Sequence, residues 1–288
     1  MNPVVVSLIL GTATPGGGFP VFGAAFTEMV NAQEPALRIE TRNTKGSAEN
    51  VPLLEAGKLD LGLVTGEFAG NALGRSGATL RIITAMYASP GMFIVRGDSP
   101  ARLIADLKGK AVALGTQGSG ITVLGRSVLR SLEIPVQEII LEKAGDGPAM
   151  VLDGRAAALW GAGIGWPGFE AVGKAGGRFI VPDAGEIRRI LEKQPQLKGM
   201  TVPAGSFPGQ NTALQSVGSW SFVLARPGLA EEAGYLLARA LHRAEAPLAA
   251  RLAQARETTA ANTVAAAPRA ELIHPGVQKY LREIGLLR

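Results

Sequence analysis

Residues 4–23 read VVVSLILGTATPGGGFPVFG: an uncharged apolar run that passes directly into a turn rich in glycine, threonine and proline, and then into a helical pattern. Strand, glycine-rich turn, helix is the repeating unit of α/β sheets. The same unit recurs where residues 37–43 lead into Thr44–Asn50 (TKGSAEN) and where 110–115 lead into Gly115–Thr122 (GTQGSGIT). Working outward, apolar strand candidates fall at 4–10, 37–43, 59–65, 80–87, 91–96, 110–115, 137–141, 156–160, 178–181 and 219–225. Helical patterns alternate with them at 19–31, 49–56, 67–73, 101–106, 119–132, 146–153, 168–175, 185–193 and 228–244. Near-continuous apolar strands of this kind predict an α/β fold with a parallel sheet covered on both faces.

The chain has 288 residues, 47% of them apolar, enough for about two domains of roughly 100–150 residues. A disordered chain and a disulfide-stapled miniprotein are excluded. Cysteine is absent, which removes disulfides, thiol nucleophiles and thiolate metal sites together. Net charge is +5, but the basic and acidic residues interleave and no aromatic run accompanies a basic stripe, so nucleic acid is not an expected partner. Residues 1–27 carry no charge, and only Met1, Asn2 and Pro3 precede the apolar run. The basic region of a secretory signal is missing. Pro15 and Gly16–Gly18 also stop the run well short of the ~20 apolar residues of a membrane span. The expectation is a buried strand in a mature chain without its leader.

Two features break the alternation. Leu80–Tyr87 and Met92–Arg96 follow one another with no helix between them, and Gly199–Ala225 is uncharged and ends in the apolar stretch Trp220–Ala225. These places predict crossovers between a discontinuous first lobe, residues 1–90 and 220–288, and a second lobe, residues 91–219. Extended hinge segments near Met92 and Trp220 and an interlobe cleft would follow.

In an open α/β sheet, ligands meet the carboxyl ends of strands, where helix N-termini present unpaired N–H groups. The three turns at Gly11–Gly23, Thr44–Asn50 and Gly115–Thr122 have that form and would suit an anionic group, with glycines for close backbone approach and hydroxyls as partners. Helix capping by Ser47, Ser119 and Thr14 is the alternative reading of the same residues. If Ser47 capped, Pro52 would fall inside the first turns of the helix, so a start near Asn50 is the other reading.

A competing chemistry comes from Gly163–Gly168 (GIGWPG), which spells G-x-G-x-x-G after the apolar run 156–160, with Asp183 at a spacing suited to ribose recognition. That would make the chain a nucleotide-dependent enzyme. Bulky Trp166 and Pro167 in the variable positions and the glycine-rich helix behind them weigh against it. Gly168–Ala175 approaches a phosphate loop but has alanine where Ser or Thr must hold Mg²⁺. His242 and His274 have no metal-ligand spacing, and no nucleophile elbow occurs. No catalytic residue, metal or cofactor is expected.

VSLILGTATPGGGFPVFGAAFTEMVN (6–31), KGSAENVPLLEAGKLDLGLVTGEFAGNAL (45–73), DLKGKAVALGTQGSGITV (106–123), TVPAGSFPGQ (201–210) and HPGVQKYLREIG (274–285) together resemble the TAXI-type solute-binding receptors of TRAP transporters. The resemblance spans nearly the whole chain in the right order and is most specific in the second and third segments. It implies a two-lobe, class II periplasmic-binding-protein-like α/β fold with mainly parallel sheets and a hinge. It further implies a monomeric periplasmic receptor that closes on a small organic solute, a carboxylate or amino acid, and delivers it to membrane permease subunits. Against the family pattern, Phe19-Pro20 stands where a Tyr-Tyr is common, Phe207 replaces a tyrosine, Ala156-Ala157 stands where an acidic residue is frequent, and Glu67 replaces an aspartate. The pocket is therefore expected to be less polar than the family norm, which makes glutamate a doubtful solute. On this reading, N–H groups around Gly17, Gly118 and Ser119, beside Thr116 and with the side chains of Thr14, Ser47 and Asn50, bind a carboxylate. Glu67 meets an ammonium or hydroxyl, and Tyr87 and Trp166 form apolar walls with one donor each. A core role for Tyr87 and a helix-dipole role for Glu67 remain the alternatives.

Overall fold

The computed structural model describes residues 5–288. Met1–Pro3, and Val4 at the head of the expected first strand, lie outside the described residues. The chain begins β1 Val6–Gly11, α1 Gly18–Gln33, β2 Leu37–Arg42, α2 Ser47–Glu55, β3 Leu61–Val64, α3 Gly66–Gly74 and β4 Arg81–Val95. There follow β5 Ala111–Thr116, α4 Gly120–Leu132, β6 Gln137–Leu141, α5 Gly147–Leu152, β7 Ala158–Ala162, α6 Pro167–Lys174, β8 Arg178–Ile180, α7 Ala184–Lys193 and β9 Lys198–Val202. The chain ends with β10 Leu214–Ala225, α8 Glu231–Arg251, α9 Ala260–Ala266 and α10 Pro275–Glu283.

Two compact units result. Unit 1 takes the chain up to Ala13, Phe19–Tyr87 and Trp220–Arg288; unit 2 takes Thr14–Gly18 and Ala88–Ser219. The fold is α/β, and its sheets are mixed. In unit 1, β1 pairs in parallel with β2 and with β3, while β10 runs antiparallel to β3. In unit 2, β5 pairs in parallel with β6 and β7, while β4 runs antiparallel to β7 and β8, and β10 to β9. The core of unit 1 packs Leu8, Leu10, Leu37 and Ile39 of the sheet on Phe22 and Phe26 of α1 and on Leu237 of α8. The core of unit 2 packs Phe93, Val112, Leu114 and Trp160 on Leu124 and Val128 of α4.

Three local outcomes differ from the sequence reading. The expected break at Ser89-Pro90-Gly91 does not end the strand: β4 runs through it. Pro90 has no N–H to give, but its carbonyl still accepts the Gly163 N–H at 3.1 Å. Gly91 lets the Trp160 indole lie against its backbone, where a β-carbon would collide with the ring. Second, α2 starts at Ser47 rather than near Asn50 and holds Pro52 inside it. The missing Pro52 N–H removes the helical donor of the carbonyl of half-buried Ala48, while Pro52 itself is exposed. Third, the parallel sheet is not covered on both faces throughout. Ser7 and Ile9 of β1 are exposed, and so are Arg38 and Glu40, their register partners on β2. Their alternation with buried Leu8, Leu37 and Ile39 is the period-two pattern of a one-sided strand.

Candidate functional site

In unit 1 the carboxyl ends of β1, β2 and β3 are tied together by side chains from the turns that follow them. The Thr12 N–H donates to the Arg42 carbonyl at 2.9 Å, and its hydroxyl reaches the same oxygen at 3.2 Å. Thr44 returns a hydroxyl to the Thr12 carbonyl at 3.1 Å and accepts the Gly46 N–H at 3.0 Å. Asn50, fully buried on α2, donates its amide to the carbonyls of Thr12 and Leu63, both at 2.8 Å, and of Gly11 at 3.3 Å. Its Oδ1 occupies the space that a β-carbon at residue 11 would need, 2.7 Å away, so only glycine fits there. The buried Ser47 hydroxyl accepts the Thr65 N–H at 3.0 Å and lies 3.4 Å from the Thr65 hydroxyl. Ser47 is therefore not a helix cap. The cap positions of α2 and α3 are Gly46, at φ 98°, and Thr65, and neither makes a side-chain cap bond. Neither of these two neighbouring helices thus receives an acceptor from the side chain of its cap residue at its positive dipole end.

Of the residues expected on this unit, Ser47 and Asn50 fall into one network, and Glu67 lies buried in the first turn of α3, where a carboxylate favours the dipole. Tyr87 does not join them. It is buried in the core of unit 1, edge-on to Phe22 at 5.5 Å, and burial pushes its phenol far above the usual range. Phe19 packs half-buried against the same core. Gly11, Thr12, Thr44 and Thr65 also belong to the network; the first three fall inside the turns expected to meet a ligand without having been singled out, and Thr65 falls outside them. The signal available was a hydroxyl residue closing each strand, in GTAT and LVTGE.

Unit 2 presents a second turn of the same type between β5 and α4. Gly118 has φ 79°, and Ser119 caps α4, its hydroxyl accepting the Ile121 N–H at 3.3 Å. The Thr116 carbonyl accepts the Ser119 N–H at 3.2 Å and the Thr122 hydroxyl at 2.8 Å. Thr14 and Gly17 sit in the short loop that belongs to this unit, closed by a 3.4 Å bond from the Gly17 N–H to the Thr14 carbonyl. That loop rests on the residues before α5: a β-carbon at Gly16 would lie 2.8 Å from the Gly145 nitrogen.

Trp166 and Phe207 are placed in an aromatic cluster of unit 2. Ring centroids are 4.8 Å apart for Trp166 and Phe169, 5.5 Å for Phe169 and Phe207, and 4.9 Å for Phe179 and Phe207. Both are buried, Phe207 to 4% exposure. The Trp166 indole fills the space over Gly161 and Gly168, so the third glycine of the Gly163–Gly168 motif is packed under the chain's own ring. Asp183 is also committed elsewhere: it caps α7, accepting the Glu186 N–H at 2.8 Å while its own N–H donates to Glu186 at 2.9 Å. Residues of the phosphate-loop-like segment form helix α6. Among the described residues no group of three or more His, Asp or Glu side chains could hold a metal ion, and no helix is long and apolar enough to cross a membrane.

Residues 10–285 match the NMT1-like family. Among solved structures, MatC (Rpa3494) from Rhodopseudomonas palustris with bound malate is similar at a TM-score of 0.62 and 14% identity, over 95% of this chain and 97% of that chain. The periplasmic binding protein BugD is similar at a TM-score of 0.59 and 12% identity, over 98% of each chain. The periplasmic aliphatic sulphonate binding protein SsuA from Escherichia coli is similar at a TM-score of 0.51 and 20% identity, over 98% of this chain and 93% of that one. At these identities the likeness is one of fold.

Proposed function

Because the chain belongs to the NMT1-like family, we propose that it is an extracytoplasmic receptor that binds a small organic carboxylate or amino acid and delivers it to a membrane permease. Its output is a bound state rather than a reaction. The observation that carries this reading is the pair of adjacent helix N-termini in unit 1, α2 and α3, joined by the Ser47–Thr65 bond and left without side-chain caps. Backbone N–H groups held there by the Asn50 and Thr12 bonds are aimed without mobile charged side chains, which suits a small anion. In unit 2, the Gly118–Ser119 turn after Thr116, with Thr14 and Gly17, is the second proposed set of donors. Glu67 is the proposed partner of an ammonium or hydroxyl on the solute. Malate in MatC and sulphonates in SsuA are anions of the size this reading requires. Resemblance of the GSAEN and DLKGK segments to TAXI-type receptors supports a TRAP-type permease as the recipient.

Native mass spectrometry of freshly purified protein tests the proposal. The expected result is a co-purified carboxylic acid, confirmed by calorimetry in which the acid binds and its neutral amide does not. A nucleotide in its place, or equal affinity for acid and amide, would overturn it.

A further inference from the structure

Unit 2 carries a concavity at the opposite end of β5 from the Gly118–Ser119 turn. It is a hollow of about 580 Å³, within the roughly 300–1,000 Å³ of small-molecule sites. It lies where β4 ends and β5 and β7 begin, whereas the Gly118–Ser119 turn follows the end of β5. Its floor is apolar, with Ala101, Leu107 and Ala156 buried and Pro100 and Ala157 beside them.

The rim is charged, and its hydrogen-bonding capacity is unequal in sign. Both carboxylates are already engaged. Asp98 takes the Arg96 guanidinium in a fork, with Nε at 2.9 Å. Asp106 accepts the backbone N–H groups of Arg102 at 2.7 Å and Leu103 at 2.9 Å. These bonds hold both carboxyls below the usual range. The cations retain free donors: the Lys110 ammonium has no hydrogen-bond or ion-pair partner among the described residues, and Arg96 Nη1, which faces Gly154, has no acceptor. Behind the rim, Arg178 donates to the carbonyls of Ser99 at 3.0 Å and Ala101 at 2.8 Å, and Arg102 donates to Ser99 at 2.5 Å. The Ser99–Ala101 wall is thereby fixed, while the hollow itself is lined by two cations, Arg96 and Lys110, and two carboxylates, Asp98 and Asp106.

We propose that this hollow is a binding site for a small organic anion with an apolar body, its head group on Lys110 and Arg96 Nη1 and its body over Ala101, Leu107 and Ala156. An apolar floor supplies affinity in proportion to area, and unengaged donors at one edge select the sign of the head group. The inference stands apart from the turns of the proposed receptor site.

Amide-resolved NMR of the full chain, titrated with octanoate, reads the site directly. Shifts are expected at residues 96–110 and 154–157, about tenfold weaker binding for acetate, which lacks the body, and about tenfold weaker binding of octanoate to Lys110→Glu. Lys110 is exposed, and the dispersion of the same spectra shows that the variant is folded. Absence of shifts at the hollow, shifts confined to the Ser47–Glu67 or Gln117–Ser119 turns, or equal binding of octylammonium would overturn the assignment.

Discussion

The Ser47 hydroxyl accepts the backbone N–H of Thr65 at 3.0 Å, joining the first residue of one helix to the cap position of the next. Both residues are buried. Replacing Ser47 with alanine strands a buried donor, and the expected loss is about 1–3 kcal/mol of unfolding free energy. Ser119→Ala removes a single cap on a half-exposed residue and is expected to cost about 1 kcal/mol. Urea denaturation of the two variants checks the order, and an equal or reversed order would remove the special role given to Ser47.

Asn50 donates to three carbonyl oxygens and accepts nothing among the described residues. Asn50→Asp turns that donor into a carboxylate facing oxygen atoms in a buried site. A loss of about 3–5 kcal/mol is expected when the new group is ionised. Burial raises the pKa of such an acid, so the variant should be least impaired at low pH and lose stability as pH rises through that raised value. Denaturation curves at several pH values test this, and a flat difference from the parent would contradict it.

His274 caps α10 with Nδ1, which accepts the Gly276 N–H at 3.2 Å, while Nε2 donates to the Leu229 carbonyl at 3.0 Å. Both bonds fit the neutral ring, and burial pushes its pKa below the ordinary 6.5. The unfolded chain therefore takes up a proton below about pH 6.5 that the folded chain resists, and stability falls as pH drops through that window. His274→Asn keeps a capping oxygen and loses the titrating group. Its urea midpoint should vary less than the parent's between about pH 7.5 and about pH 5.5.

At Gly276, α10 approaches α8 so closely that a β-carbon would strike the Glu231 carbonyl and the Tyr235 nitrogen, both backbone atoms that cannot swing aside. Gly276→Ala is expected to cost about 1–3 kcal/mol by overpacking. Gly285, with φ 76° and open space around it, should lose stability through backbone strain alone. A thermal melt of Gly276→Ala that matches the parent would show that the helices can part without penalty.

The α/β class was legible because apolar runs and helical patterns alternate, and those patterns survive any detail of packing. Arg38, Glu40 and Arg42, alternating with Leu37, Ile39 and Thr41, also announced a strand with one wet face, a signal that the uniform expectation of a covered sheet passed over. Continuation of β4 through Pro90 was not legible, since it depends on the Trp160 ring lying against Gly91, a contact made across the sheet. The turns were found, but the direction of their side chains was not. Ser47 looked like a helix cap and instead bonds a backbone group eighteen residues away. Phe207 and Tyr87 were expected beside a ligand; their partners Phe169 and Phe22 lie far off in sequence, so no local pattern could show that both rings point into cores.

The threonine and asparagine bonds across the ends of β1, β2 and β3 have one more consequence. Their loops acquire a single shape during folding, when the strands they join come together. On the proposed function, a guest arriving there afterwards would find donors already in position and no loop left to immobilise, so that even a molecule of few atoms could be held firmly.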